Sequence, residues 1–165
     1  MRKFYFTIAI VVSCLVLPSR LPGQGVVTNP DQMKLMKQFL GEWQATQGKD
    51  TVLIVEIKQA GEAFVETDYL VIRGEKSVLS FWNYYYDADM GKFKIFALNT
   101  QGEYGTYMAS FTSEKEWVQT LVPDFMADKI LRKDIFIFIS SSEIRTTSFT
   151  PDGKKRGEGR FTRIK

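Results

Sequence analysis

From residue 42 onward, apolar and polar positions alternate in short runs rich in β-branched and aromatic residues, punctuated by Gly, Asp, Asn, Ser and Lys. A period of two is the mark of a strand with one buried face. The runs predict strands over 42–47, 51–59, 63–73, 77–86, 92–98, 104–111, 116–122, 129–139, 143–149 and 156–164. Their connections, among them "QAGE", "RGEK", "DADMGK" and "TPDGKK", have hairpin length and turn chemistry. The segment "VPDFMADK", 122–129, breaks the rhythm with a proline and the Phe125-Met126 pair. A broad loop folding over one barrel end and a strand bulge both fit it. Ahead of the strands, "NPDQMKLMKQFL" offers Asn29 as a cap, Pro30 at the first helical position, and Met33, Met36, Phe39 and Leu40 at helical spacing. One short amphipathic helix is expected there.

Consecutive strands with tight turns and no crossover helix call for an antiparallel meander. Closure removes the exposed edges of such a meander. The predicted fold is therefore all-β: an up-and-down antiparallel β-barrel of about 8–10 strands preceded by one short N-terminal helix.

The densest aromatic stretch is "FWNYYYDADMGKF", 81–93. Alternation puts Trp82, Tyr84 and Tyr86 on one face and Phe81, Asn83 and Tyr85 on the other. An amide in mid-strand is more easily solvated outside, so Trp82, Tyr84 and Tyr86 are expected to face inward. Buried tyrosine hydroxyls need partners, which fits a hydrated or ligand-holding interior better than a solid one. A solid core stays open as the alternative in a small barrel.

Charge and leader change the picture of partners. Arg2 and Lys3, the apolar run 4–17, and then Pro18, Pro22 and small residues have the layout of a secretory signal peptide over 1–25, with the barrel domain over 26–165. Arg2, Lys3 and Arg20 account for the whole excess of 22 basic over 19 acidic residues. A neutral remainder gives no reason to expect a nucleic-acid partner. The basic cluster at 154–165 reads as a solvated terminal strand that blunts a sheet edge. The single cysteine, Cys14, lies in the leader, so the domain is expected to hold no disulfide. "VVSC" is similar to a lipoprotein cleavage box. Membrane association would follow only if Cys14 were lipidated, and a soluble secreted or periplasmic product is the preferred reading.

The chain contains no histidine. That excludes Ser-His-Asp and Cys-His nucleophile pairs, histidine zinc sites and a histidine-ligated haem. Asp87, Asp89 and Gly91 imitate a calcium loop, but the third acid and the closing glutamate are missing, so they read as a hairpin turn. No glycine motif sits between a strand and a helix as a phosphate cradle requires. Glu66 and Asp68 share one face of a strand and would suffice for carboxylate chemistry, yet a solvated face is the preferred reading. No residue is assigned as catalytic or as a metal ligand, and no cofactor is expected.

"FLGEW", 39–43, follows the helix and opens the first strand. It resembles the G-x-W signature of the calycin group: lipocalins, fatty-acid-binding proteins and their bacterial lipocalin-like relatives. With "NYYYDADMGKF", "NTQGEYGTY" and "GRFTRIK", the chain is similar in particular to secreted bacterial lipocalin-like domains of unknown function. The resemblance implies that Trp43 closes one barrel end under an arginine from the last strand, Arg163 or Arg160. A guanidinium over an indole gains cation–π energy while its stem covers the ring. By analogy with fatty-acid-binding proteins, Arg145, Arg160 or Arg163 could hold a carboxylate.

The expected function is non-enzymatic binding or carriage of a small, largely apolar molecule or lipid. Trp82, Tyr84, Tyr86 and Tyr107 are the candidate wall residues, in a monomer or weak dimer. Two alternatives are a histidine-free isomerase or hydrolase using Glu66, Asp68 or a tyrosine, and a filled structural barrel of the cell envelope.

Overall fold

A computed structural model describes residues 30–165. The leader over 1–25, Cys14 and the Asn29 cap lie outside the described residues. The first element is a short helix, α1 (Gln32–Met36), followed by a 3₁₀ turn over Lys37–Phe39. Its cap is Asp31, whose carboxylate accepts from the Lys34 amide at 3.0 Å, so the helix begins after Pro30 and not at it. Gln32 then staples the helix to the sheet. Its amide nitrogen donates to the Phe111 carbonyl at 3.0 Å, and its amide oxygen accepts from the Phe111 N–H at 2.8 Å.

Ten strands follow: β1 (Gly41–Gly48), β2 (Thr51–Ala60), β3 (Ala63–Ile72), β4 (Glu75–Asp87), β5 (Lys92–Asn99), β6 (Tyr104–Ser113), β7 (Glu116–Val122), β8 (Arg132–Ser140), β9 (Glu143–Phe149) and β10 (Lys155–Arg163). Each pairs antiparallel with the next, and β10 returns to β1, which closes the barrel. The predicted all-β up-and-down barrel with one short leading helix is the fold observed. The seam between β1 and β10 is thin, with only Trp43↔Arg163 and Gln44↔Thr162 in register.

Antiparallel order sends alternate turns to opposite ends. The helix and the turns after β2, β4, β6 and β8 gather at one end, here called the plugged end. The turns after β1, β3, β5, β7 and β9 gather at the other, the mouth. Phe39 forms the plug: its ring packs on Phe138 at 4.8 Å and Trp117 at 5.6 Å between centroids, and its carbonyl accepts the Trp43 indole N–H at 2.8 Å. Gly41 lets the chain leave the plug with φ 111°; a Cβ there would strike the Lys165 carbonyl and the Arg163 side chain.

The 122–129 segment resolves its two alternatives. It is a connection at the mouth, containing a 3₁₀ turn (Pro123–Phe125) with Asp124 and Phe125 at positive φ. It lies along the outside of β6 and not across the barrel end: the Phe125 N–H donates to the Thr106 hydroxyl at 3.3 Å, and the outward-facing Thr106 and Val122 are buried.

Candidate functional site: the barrel cavity

Inward-facing side chains change character along four of the strands that cross the interior, β3, β7, β8 and β9. From plugged end to mouth, β3 presents Phe64, Glu66 and Asp68; β7 presents Trp117 and Gln119; β9 presents Ile144, Thr146 and Ser148. On β8, which runs the other way, the same axis reads Phe138, Phe136, Asp134 and Arg132. The interior is apolar at the plug and polar toward the mouth, around a cavity of about 510 Å³. Apolar Leu53, Val55 and Phe161 complete its walls, and Trp43, Trp82 and Trp117, all three tryptophans of the chain, line it.

Two polar clusters face each other across this space. The first spans β3 and β4, where register sets Glu66 opposite Trp82 and Asp68 opposite Ser80. Tyr84 donates to Glu66 Oε2 at 2.6 Å. Ser80 and the Trp82 indole both donate to Asp68 Oδ2, at 2.6 and 2.8 Å, while Asp68 Oδ1 is buried beside the neighbouring Glu66 carboxyl, which serves it when protonated. Burial, reinforced by the adjacent Asp68 charge, holds the Glu66 carboxyl well above the usual carboxylate range. Burial also raises Asp68, against its donors Ser80, the protonated Glu66 carboxyl and Trp82, and lifts the Tyr84 phenol well above its ordinary value.

The second cluster joins β8 to β6 and β9. Arg132 donates from Nε to Asp134 Oδ2 at 2.9 Å, and Ser148 donates to Asp134 Oδ1 at 2.6 Å. Arg132 Nη2 reaches the Tyr107 hydroxyl at 3.4 Å, and Tyr107 packs on Trp82 with centroids 5.0 Å apart. The clusters therefore touch through the Tyr107–Trp82 pair.

Of the four expected wall residues, Trp82 and Tyr84 line the cavity. Tyr107 is buried behind Trp82, and Tyr86 packs on Phe93 at 5.1 Å, away from the space. Phe81 and Tyr85 are exposed. Trp43 and Arg163 meet as a register pair, with the Arg163 guanidinium 4.1 Å from the indole centroid. Asp87 ends β4 and holds the turn that follows, accepting from the Met90 N–H at 3.0 Å and pairing with Lys94 at 2.7 Å.

Two expectations are corrected. Glu66 and Asp68 are not on a solvated face: they share the face of Phe64, which has no exposed surface, and point into the cavity. Neither Arg145 nor Arg160 reaches the interior, since both bind Glu143, at 3.2 and 2.9 Å. Arg163 is spent on the plug, so the one cavity arginine among the described residues is Arg132, which sequence reasoning missed. Its signal was the Arg132, Asp134, Phe136, Phe138 spacing. That signal was masked because Ile135, Ile137 and Ile139 make the opposite face of β8 equally apolar.

No protein-family model and no curated protein matches this chain. Among the described residues no group of three or more carboxylate, histidine or cysteine ligands could hold a metal ion.

Proposed function

We propose that this protein is a small-molecule binder of the lipocalin-like kind, acting as a secreted or periplasmic carrier. The reading rests on one observation, a cavity of about 510 Å³ graded from aromatic at the plug to polar near the mouth. Such a space suits a ligand with an apolar body and one polar end. Burial of the body among Trp43, Trp117, Phe136 and Phe161 supplies the driving force, and the polar clusters fix direction. The G-x-W start, the helical plug and the arginine stacked on tryptophan support the calycin resemblance. The cavity weighs against a filled structural barrel.

Native mass spectrometry of protein purified from its own host tests the proposal, with titration of the neutral dye N-phenyl-naphthylamine as a second arm. The expected result is a co-purifying small molecule, and dye fluorescence rising as tryptophan emission is quenched. A bare chain that also leaves the dye dark overturns it.

A second reading has its own support. A carboxyl held above its usual range inside a cavity is the group a histidine-free acid–base enzyme would use, and Glu66 is such a group. Recovery of the co-purified molecule chemically unchanged after prolonged incubation with fresh protein decides against catalysis.

A further inference from the structure

The barrel wall is not equally complete all the way round. Beyond Gln44↔Thr162, β1 and β10 share no further register pair among the described residues, although β1 stays paired with β2 as far as Gly48 and β10 with β9 as far as Lys155. A slot is left between them, running from the end of their pairing toward the mouth. On β10 its edge is nearly bare. Register sets Phe161 opposite Ile144, Gly159 opposite Thr146 and Gly157 opposite Ser148, so the next two inward positions after Phe161 are glycines. Neither has a positive φ, so the backbone does not require glycine there. Glycine inside a strand weakens it and marks a place where another group passes close by. A Cβ at 159 would stand 2.9 Å from Thr146 Oγ1, and one at 157 would meet nothing within 4 Å.

Exposure follows the same geometry. Gln119, Asp134, Ser148 and Gly157 are successive register partners on the inner face from β7 to β10. The first two are 4% and 5% exposed, Ser148 is half-buried, and Gly157 is exposed. Solvent therefore reaches this level of the interior from the slot. Gln47, on the β1 side, lines the cavity and is exposed as well. Away from the slot the mouth is packed, with buried Tyr107 held between Trp82 at 5.0 Å and Arg132 Nη2 at 3.4 Å. Outside the slot lies a polar groove lined by Gln44, Thr46, Arg145, Thr147 and Arg160; Thr146 borders both this groove and the cavity. The two spaces meet at that residue.

We infer that the slot between β1 and β10 is the portal through which the ligand enters and leaves the cavity, sideways past Gly157 and Gly159. This rests on the binder reading and goes beyond it. An amphiphile can pass body first while the outer groove keeps its polar end hydrated.

Stopped-flow mixing with N-phenyl-naphthylamine reads entry, and dilution of the loaded protein reads exit. An obstacle in the route slows both by the same factor and leaves the dissociation constant unchanged, whereas a change in the binding wall alters affinity. Gly157→Phe, whose ring enters open space on an extended backbone, is expected to slow entry and exit about ten-fold each. Ser77→Phe, at the mouth end of β4, is expected to leave both rates within about two-fold of the parent. Unchanged rates in Gly157→Phe, a change in its exit rate alone, or slowing by Ser77→Phe instead overturn the portal and leave the binder reading standing. A parent that takes up no dye removes both. Should Gly157→Phe not fold, Thr46→Cys in a Cys14→Ser background decides: a bulky maleimide attached at the groove after folding is expected to produce the same paired slowing, and equal rates before and after labelling overturn the portal.

Discussion

Arg163 lies over Trp43, its guanidinium 4.1 Å from the indole centroid, and the same two residues are a register pair of the strand seam. From that position Arg163 donates to the carbonyls of Ser141 at 2.8 Å and Gln38 at 2.7 Å, and to that of Leu40. One side chain thus ties together the plug, the β8–β9 turn and the closing strands. Arg163→Ala is expected to cost about 3 kcal/mol and lower the melting temperature by roughly 10 °C, from lost charge-assisted bonds and lost stacking. Arg163→Lys keeps the charge but not the planar fork, and should recover less than half of that loss. Thermal unfolding followed by circular dichroism measures both; a lysine variant as stable as the parent would show that only charge matters.

Glu66 predicts a pH dependence with a definite sign. Its folded carboxyl titrates above the ordinary value of 4.5, so the folded chain holds the proton more tightly than the unfolded chain. The stability linked to it is complete below that value and is lost as pH rises through the folded carboxyl's range, at up to about 1.4 kcal/mol per pH unit. Asp68 acts in the same direction, and its charge together with the Tyr84 hydrogen bond sets the field Glu66 feels. Glu66→Gln mimics the protonated form and keeps an acceptor for Tyr84. The variant should match or exceed the parent in urea unfolding at neutral pH, and its stability should fall less steeply between mildly acidic and neutral pH. The exposed, ion-paired Asp87, Asp152 and Glu158 are lowered instead, but they are common to both proteins and cancel in the comparison. Parallel pH profiles would refute this assignment.

Tyr84 stabilises the Glu66 carboxylate through one hydrogen bond of 2.6 Å, beside the Asp68 carboxyl and out of reach of solvent. Tyr84→Phe preserves the ring and removes the donor, at an expected cost of about 1–3 kcal/mol. Because that bond lowers the Glu66 pKa, the glutamate should titrate at still higher pH in the variant. Carboxyl carbon chemical shifts followed through a pH titration give the direction; a downward move would mean that the hydroxyl is not the group opposing burial.

The strands, their turns and the barrel closure were legible in the sequence because period-two alternation is locally encoded. So was the orientation of Trp82 and Tyr84, which followed from the placement of Asn83. The cavity polarity was not legible. Glu66 and Asp68 look like an outward face when β3 is read alone, because carboxylates are ordinarily solvated. Pairing from the hairpin at Arg73-Gly74 alone would set Glu66 opposite the outward Phe81, and only a register shift brings it opposite Trp82, already assigned inward. A one-residue bulge between Asp68 and Tyr69 shifts the register near the mouth, and Leu79 becomes the unmatched residue on β4. Such a shift depends on tertiary closure and leaves no local trace. Arg132 was hidden for the related reason that both faces of β8 are apolar.

The thin seam gives the cavity a history in time. The other strand pairings are hairpin neighbours and can form early, but β1 and β10 must meet from opposite ends of the barrel sequence, as Leu40 and Arg163 do across 123 positions. Loop-closure entropy makes that junction the last to zip and the first to part. The interior space exists only once it has zipped, so any occupant binds the closed form alone. Occupancy should therefore slow hydrogen exchange at the β1 and β10 amides first, and lengthen the lifetime of the barrel more than it hastens folding.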